Sequence, residues 1–221
     1  MPTKITITEQ NYLKAIYHLA QPHVQVSTNA LAQALQVKAS TATDMLKKLE
    51  QKAWLHYIPY KGFNLTAKGN KQALLIIRRH RLWEYFLVKK LAINWDAVHA
   101  LAEELEHIDS PLLVDKLAKY LNNPEYDPHG DPIPNANGIL PKTNRQYLSS
   151  VTTPQKLNIE AVANDSAECL QMFTALGLHI GKPIKVLQIF YFDKSYQVQV
   201  NTNIVIISQL MAQQILVTPI I

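Results

Sequence analysis

Sulfur, glycine and charge are all scarce in this chain. One cysteine, Cys169, among 221 residues excludes an intrachain disulfide and a zinc cage built of thiolates. Six glycines in all provide no glycine-rich phosphate loop, and no nucleophile motif of a hydrolase is visible. No apolar run reaches the roughly 18 residues that a membrane span needs, and the opening residues lack a signal-peptide pattern. Charged residues make up only 18% and apolar residues 48%, too hydrophobic a balance for disorder. The length suits one large domain or two to three small ones. A reduced, cytoplasmic protein without a membrane partner is the expectation.

The net charge of +5 is unevenly spread. Residues 1–71 carry nine lysines against Glu9, Asp44 and Glu50, a balance of +6, whereas residues 72–150 and 151–221 are close to neutral. A local excess of this kind suits a polyanion, because each lysine placed on a phosphate releases condensed counterions. A solvated lysine-rich face would produce the same count.

Helical spacing of Leu13, Ile16, Tyr17 and Ala20 behind Thr6 or Thr8 predicts a first helix ended by Pro22. Ser27 or Thr28 starts a short second helix through Leu31 and Leu35. Ser40 is expected to cap a third, Thr41–Gln51. Strands at Trp54–Ile58 and Phe63–Thr66 follow, joined by Tyr60-Lys61-Gly62. Helix, helix, turn, helix and hairpin is the order of a winged helix-turn-helix. On that reading Ser40, Thr41 and Thr43 lie at the end that meets base edges, while Lys38, Lys47, Lys48 and Lys61 reach phosphates. Double-stranded DNA is the partner this arrangement fits; a small helical domain with a basic face is the plainer alternative.

A long helix is expected from Ala67 to about Leu91, another from an Asn94 cap through Ile108, and a third opened by Pro111 and reaching Leu121. Leu74, Leu75, Ile77, Leu82, Phe86 and Leu87 suit either a subunit interface of a two-fold dimer or ordinary core. Residues 122–141 contain five prolines and two glycines, a linker or semi-rigid strap. Beyond it, strands at Lys185–Phe192, Ser195–Val200 and Asn203–Ile207 and a helix near Ser166–Leu176 predict a small β-barrel-like module. The fold class is mainly α with a β appendage, divided as 1–71, 72–141 and 150–221.

The two middle helices carry the distinctive chemistry. His80 and Glu84 are four residues apart on one helix face. On the next expected helix His99, Glu103, Glu106 and His107 fall within an arc of roughly 100°. Imidazoles and carboxylates crowded on one stripe are costly to bury unless paired or bound to a cation. The set suits Mn2+, Fe2+, Zn2+ or Co2+, with carboxylate-rich ligation leaning toward harder ions. Structural ion pairs on a solvated surface are the plainer reading.

Four stretches together resemble the diphtheria toxin repressor family of metal-dependent transcriptional regulators, in its three-domain form. They are Thr8-Glu9-Gln10-Asn11-Tyr12-Leu13-Lys14-Ala15-Ile16-Tyr17, Arg79-His80-Arg81-Leu82-Trp83-Glu84, Trp95-Asp96-Ala97-Val98-His99 leading to Glu103, Glu106 and His107, and Asp127-Pro128-His129-Gly130-Asp131-Pro132-Ile133-Pro134. The resemblance covers residues about 8–141; the last 65 or so agree in kind, as an SH3-like or FeoA-like barrel. It implies a winged-helix DNA-binding domain, a helical dimerisation domain, and metal-activated binding of a homodimer to a palindromic operator. It also implies a primary site of Glu103, Glu106, His107 and Asn11, the last where manganese members usually carry Asp and iron members Met. A second site would take His80, Glu84 and His99 with a residue of the barrel, where Ser166 and Cys169 align and Asp165 and Glu168 are neighbours. Another family arrangement draws on the proline-rich segment, here Asp127 and His129.

Glu103 stands where iron-sensing members carry Cys. Carboxylate in place of thiolate favours Mn2+, with Fe2+ and Zn2+ as alternatives. The expectation is a manganese-responsive repressor of metal-uptake genes, and no enzyme. The rivals are an iron or zinc sensor on the same scaffold, a binuclear hydrolase using the same side chains, and a winged-helix regulator answering to a small organic effector.

Overall fold

A computed structural model describes residues 5–20, 26–58 and 62–220. The chain forms two compact units: Met1–His80 with Glu103–Lys119 and Pro134–Leu140, and Arg81–Ala102 with Tyr120–Ile133 and Pro141–Ile221.

In the first unit, α1 (Ile7–Leu19) opens with a capping box. Thr6 Oγ1 accepts from the Glu9 N–H at 3.2 Å, and Glu9 Oε2 accepts from the Thr6 N–H at 2.9 Å, so two orphan donors are satisfied at once. Ser27 caps α2 (Thr28–Ala34). The third helix, α3 (Ala39–Gln51), starts earlier than expected. The Ala42 N–H donates to Lys38 O at 3.1 Å, which makes Lys38 the cap residue and moves Ser40 into the first turn. Strands β1 (Leu55–Ile58) and β2 (Gly62–Leu65) pair antiparallel, with Leu55 opposite Leu65, and Val26 bridges Phe63. The expected ends of the first helix and of the hairpin, Pro22 and Tyr60-Lys61, lie outside the described residues. Leu13, Ile16, Leu31, Leu46, Leu49, Leu55 and Phe63 close the core beneath α3.

Helix α4 (Ala67–Leu91) follows. Near its start Gly69 lies so close to Trp54 that a Cβ would sit 1.8 Å from the Trp54 carbonyl oxygen; only glycine permits that approach. Leu74, Ile77, Leu82 and Leu87 are buried within the chain itself and Leu75 and Phe86 are half-buried. The first four are core of the chain itself, whereas Leu75 and Phe86 keep part of their surface exposed. Helix α5 is shorter than expected, Val98–Leu105: Asn94 begins a turn, accepting from the Ala97 N–H at 3.0 Å. Pro111 occupies the first position of α6 (Pro111–Tyr120).

The second unit is built on one antiparallel sheet. Its strands are β3 (Gln146–Tyr147), β4 (Lys156–Val162), β5 (Pro183–Ile189), β6 (Tyr196–Val200), β7 (Asn203–Ile207) and β8 (Ile215–Pro219), in the order β3-β8-β4-β5-β6-β7. Ser166 and Ser208 cap α7 (Ala167–Ala175) and the single turn α8 (Gln209–Ala212). β5 ends at Ile189, three residues short of Phe192, because the Phe190 N–H donates to Ser195 O and Asp193 accepts from Ser195 to make a turn. Leu157, Ile159, Phe173, Val186, Val198 and Val217 form the core, and Trp95 packs against it.

Candidate metal centres and nucleic-acid interface

The proline-rich segment is a strap held at several points within the second unit. Tyr126 bridges Pro132. Arg81 donates to Pro132 O at 2.6 Å and to Asp131 Oδ2 at 2.8 Å, and Arg145 donates to Gly130 O at 2.6 Å. Asp127 Oδ1 accepts from the N–H groups of His129 and Asp131 at 2.8 and 2.9 Å, an Asx turn that fixes its carboxylate. Gly130 has φ +87°, and a Cβ there would lie 2.0 Å from Glu160 O. Glycine thus lets the turn rest on β4, where the Val162 N–H donates to His129 O at 3.0 Å.

The His129 ring stacks on Trp95 with its centroid 5.7 Å away, and Nε2 lies 2.8 Å from Trp95 O. A carbonyl only accepts, so Nε2 carries the hydrogen, and the nitrogen left to face a metal ion is Nδ1. That nitrogen is 3.9 Å from Glu84 Oε2. Glu84, Asp127 and His129 are all buried, and each offers a ligand atom within 4.8 Å of the other two. Burial, followed by the neighbouring Glu84 and Asp131 carboxylates, pushes the Asp127 carboxyl well above the usual range, against the pull of Arg81 and the Asp131 N–H. Two buried carboxylates facing one imidazole lone pair fit a divalent cation, whose charge would offset their repulsion.

Glu84 Oε1 turns the other way, 3.4 Å from His99 Nδ1, which is also 3.7 Å from Asp165 Oδ2. Asp165 is therefore the residue after β4 that approaches His99. Ser166 is engaged as a helix cap, and burial followed by Asp165 raises the Cys169 thiol above its ordinary value, a poor setting for a thiolate ligand. His80 precedes Glu84 by one turn of α4.

A second cluster lies in the first unit. Glu106 and His107 fall in a turn beyond α5, not on its face as a helix through Ile108 would have them. The cause lies on another helix: Arg79 Nε donates to Glu106 O at 2.6 Å, capturing a backbone carbonyl at the helix end. The Arg79 Nη2 donates to Gln10 Oε1 at 2.9 Å, and the His107 Nδ1 lies 3.2 Å from the same oxygen. His80 Nδ1 donates to Glu106 Oε2 at 2.6 Å. Lys14 Nζ lies 2.8 and 2.9 Å from the two Glu106 oxygens and 3.0 Å from Glu103 Oε1.

Burial would raise the Glu106 carboxyl, but the His80 hydrogen bond and the Lys14 ammonium outweigh it and hold Glu106 below its ordinary value. Burial, with Lys14 and Arg79, lowers His107 against the opposing Glu106 and Glu103. An ionised carboxylate beside a neutral imidazole is the protonation state that coordination requires. Gln10 and Lys14 are the α1 side chains that reach this cluster among the described residues; Asn11, between them in sequence, is half-buried. Gln10, Lys14 and Arg79 were not among the residues expected from sequence. The signal was available for Lys14, one helical turn after Asn11 on the same face.

On α3, Lys38, Ser40, Thr41, Lys47 and Lys48 are exposed. Thr43 is half-buried, and its hydroxyl donates to Ala39 O at 2.9 Å, which leaves its methyl as the group free to meet a base. Lys61 lies outside the described residues. The basic excess of the first third is smaller than its count, because Lys14 pairs with Glu103 and Glu106, and Lys52 pairs with Glu9.

Three family descriptions match the chain in succession: the iron-dependent repressor N-terminal DNA-binding domain over residues 4–63, the iron-dependent repressor metal-binding and dimerisation domain over 66–135, and the FeoA domain over 147–219. The iron-dependent repressor IdeR of Mycobacterium leprae is 34% identical over 127 residues, covering 58% of this chain and 55% of IdeR. The match thus spans about half the length of that relative. The regulator MntR of Oceanobacillus iheyensis is 33% identical over 122 residues, 55% of this chain and 80% of MntR. Among solved structures, a manganese-dependent transcriptional repressor in complex with manganese superimposes with a TM-score of 0.84 at 32% identity, covering 96% of this chain and 100% of the other. ScaR with bound Cd2+ superimposes at 0.79, with 32% identity over 96% of this chain and 99% of the other. A helix-turn-helix with a two-stranded wing, buried carboxylate–imidazole clusters, and a FeoA-like sheet are joined in one sequence that matches such relatives throughout, and the chain belongs to the iron-dependent (diphtheria toxin) repressor family of metal-dependent transcriptional regulators.

Proposed function

We propose that this protein is a manganese-responsive transcriptional repressor that binds a palindromic operator as a homodimer. The observation that carries the reading is the buried Glu84–Asp127–His129 set, with the His129 ring locked so that Nδ1 faces the carboxylates. Glu106, Glu103 and His107 form the second donor set, with His80 beside it, and Asn11 is added to it by the family resemblance alone. A bound divalent ion would supply positive charge that links carboxylates and imidazoles from different elements of each unit.

Both donor sets are oxygen and nitrogen without thiolate, which suits Mn2+ better than a softer ion, while Fe2+ and Zn2+ remain the alternatives that ligand type alone allows. Relatives named for manganese point the same way, although others are named for iron or have been solved with cadmium or zinc. The exposed Ser40, Thr41 and lysines of α3 suit a major groove. Exposed Leu112 and Leu113 on α6 suit burial against a second copy, as two-fold readers of palindromes require. No helix among the described residues is long and apolar enough to cross a membrane, and the reading places the protein in the cytoplasm with its operator. A hydrolase is disfavoured by membership of a family of regulators.

The donor sets are tested by equilibrium competition with a metal-sensitive dye, comparing Mn2+, Fe2+ and Zn2+ at equal free concentration. Asp127→Asn should remove one class of Mn2+ sites, Glu106→Gln the other, and the double variant both. Wild-type Mn2+ binding by the double variant would exclude these residues as the ligands.

A further inference from the structure

The second donor set already contains a cation. The Lys14 ammonium lies within 2.8–3.0 Å of three carboxylate oxygens, two of Glu106 and one of Glu103. The Glu106 side chain is fully buried and the Lys14 side chain is 15% exposed, so this is an enclosed pair, not a solvated surface contact. We infer that Lys14 is the resident counter-ion of the Glu103–Glu106 pair, and that its displacement sets the metal threshold of this centre above that of Glu84–Asp127–His129. The inference rests on the metal-responsive reading and adds an order of filling to it.

Distances make the two occupants exclusive. A divalent ion bonds carboxylate oxygen at about 2.0–2.6 Å. An ion bonded to both carboxylates from the side they share would fall where the ammonium now sits. Two cations at that separation repel, and the long flexible stem of lysine allows its head to leave.

The Glu84–Asp127–His129 set is arranged differently. Beside its Asp127 carboxyl stands Arg81, whose Nε is 3.5 Å from Asp127 Oδ2, beyond a good hydrogen bond. That guanidinium is instead committed to Pro132 O and Asp131. It stands beside the Asp127 oxygen at that distance, and its head need not swing away for metal to enter. The first ion therefore goes to the strap, and the second has to compete with Lys14.

The test uses the full-length protein carrying Glu84→Gln and Asp127→Asn, which disable the strap set and the carboxylate shared with His99, so that Mn2+ binding reports the Glu103–Glu106 centre. Free and bound Mn2+ are measured by electron paramagnetic resonance for Lys14, Lys14→Met and Lys14→Arg, together with the melting temperature of each metal-free protein. Removing an adjacent opposite charge changes carboxylate affinity for a competing cation by about tenfold to a hundredfold, the scale of its effect on proton affinity. Lys14→Met should bind Mn2+ tighter by that factor, melt lower without metal and recover with it, while Lys14→Arg stays weak. Lys14→Gln serves if the methionine variant fails to fold. Unchanged or weaker binding in the neutral variants, or binding by Lys14→Arg as tight as theirs, overturns the inference alone. No Mn2+ binding in any of these proteins or in the wild type overturns it together with the metal-responsive reading.

Discussion

Gly130→Ala isolates the contribution of the strap's backbone to metal binding. At φ +87° alanine is strained by about 1–2 kcal/mol. Its Cβ would meet Glu160 O at 2.0 Å and the Ala161 Cα at 2.6 Å, backbone atoms of a central strand that cannot turn away. The strap has to lift, and the bonds from Val162 N–H to His129 O and from Arg145 to Gly130 O break. At about 1 kcal/mol each, with the strain added, the cost is about 3–4 kcal/mol. Lifting also moves His129 from Trp95 O, and loss of such an orienting partner costs about tenfold to a hundredfold in metal affinity. Urea unfolding and Mn2+ titration measure the two effects independently. The Glu103–Glu106 centre, in the other unit, should keep its own affinity. A variant that unfolds at the wild-type urea midpoint and binds Mn2+ unchanged would refute the claim that this turn builds the site.

Other perturbations have equally definite outcomes. Because burial and Glu84 raise the Asp127 carboxyl, ionising it disfavours the metal-free fold. Stability contributed by its protonated form is lost as pH rises above the ordinary carboxylate range, so metal-free Asp127→Asn should melt higher than wild type at pH 7 and show a flatter pH dependence. Burial alone would raise Glu9, but Lys52 and the Thr6 N–H outweigh it and lower the carboxyl. Its contribution is present above the unfolded value near 4.5 and disappears as pH falls through the folded one. Glu9→Ala should cost about 1–2 kcal/mol at pH 7, by urea unfolding, and little at pH 2. Changing Lys47 or Lys48 to Ala should weaken binding to all DNA sequences alike and reduce the slope of log affinity against log salt by about 1 for each phosphate no longer neutralised, whereas Thr41→Ala should alter sequence preference.

Helix boundaries and the order of elements were readable where local chemistry dominates. Thr6, Ser27, Pro111 and Ser166 mark helix starts because caps and proline act on their own turn. β4 and β8 were not anticipated, since each is central in the sheet and its apolar run is shaped by partners far away in sequence. The expected arc of His99, Glu103, Glu106 and His107 assumed a continuous helix. It fails at Leu105 because Arg79, from α4, takes the next carbonyl. Most of the candidate ligand residues were legible as residue types at family positions. Their grouping was not: the pairing of Glu84 with Asp127 and His129 depends on the Gly130 turn lying against β4, and the Lys14 bridge depends on α1 lying against the turn after α5.

Fluorescence anisotropy of the full-length protein on a selected palindromic DNA, at fixed salt after removal of metal by chelator, is the most direct test of the central claim. Operator affinity should rise by at least tenfold on addition of Mn2+, return to its starting value with chelator, and fail to rise in the Asp127→Asn/Glu106→Gln double variant. Equal affinity with and without Mn2+ would contradict the account and leave the carboxylate–imidazole clusters as structural ion pairs.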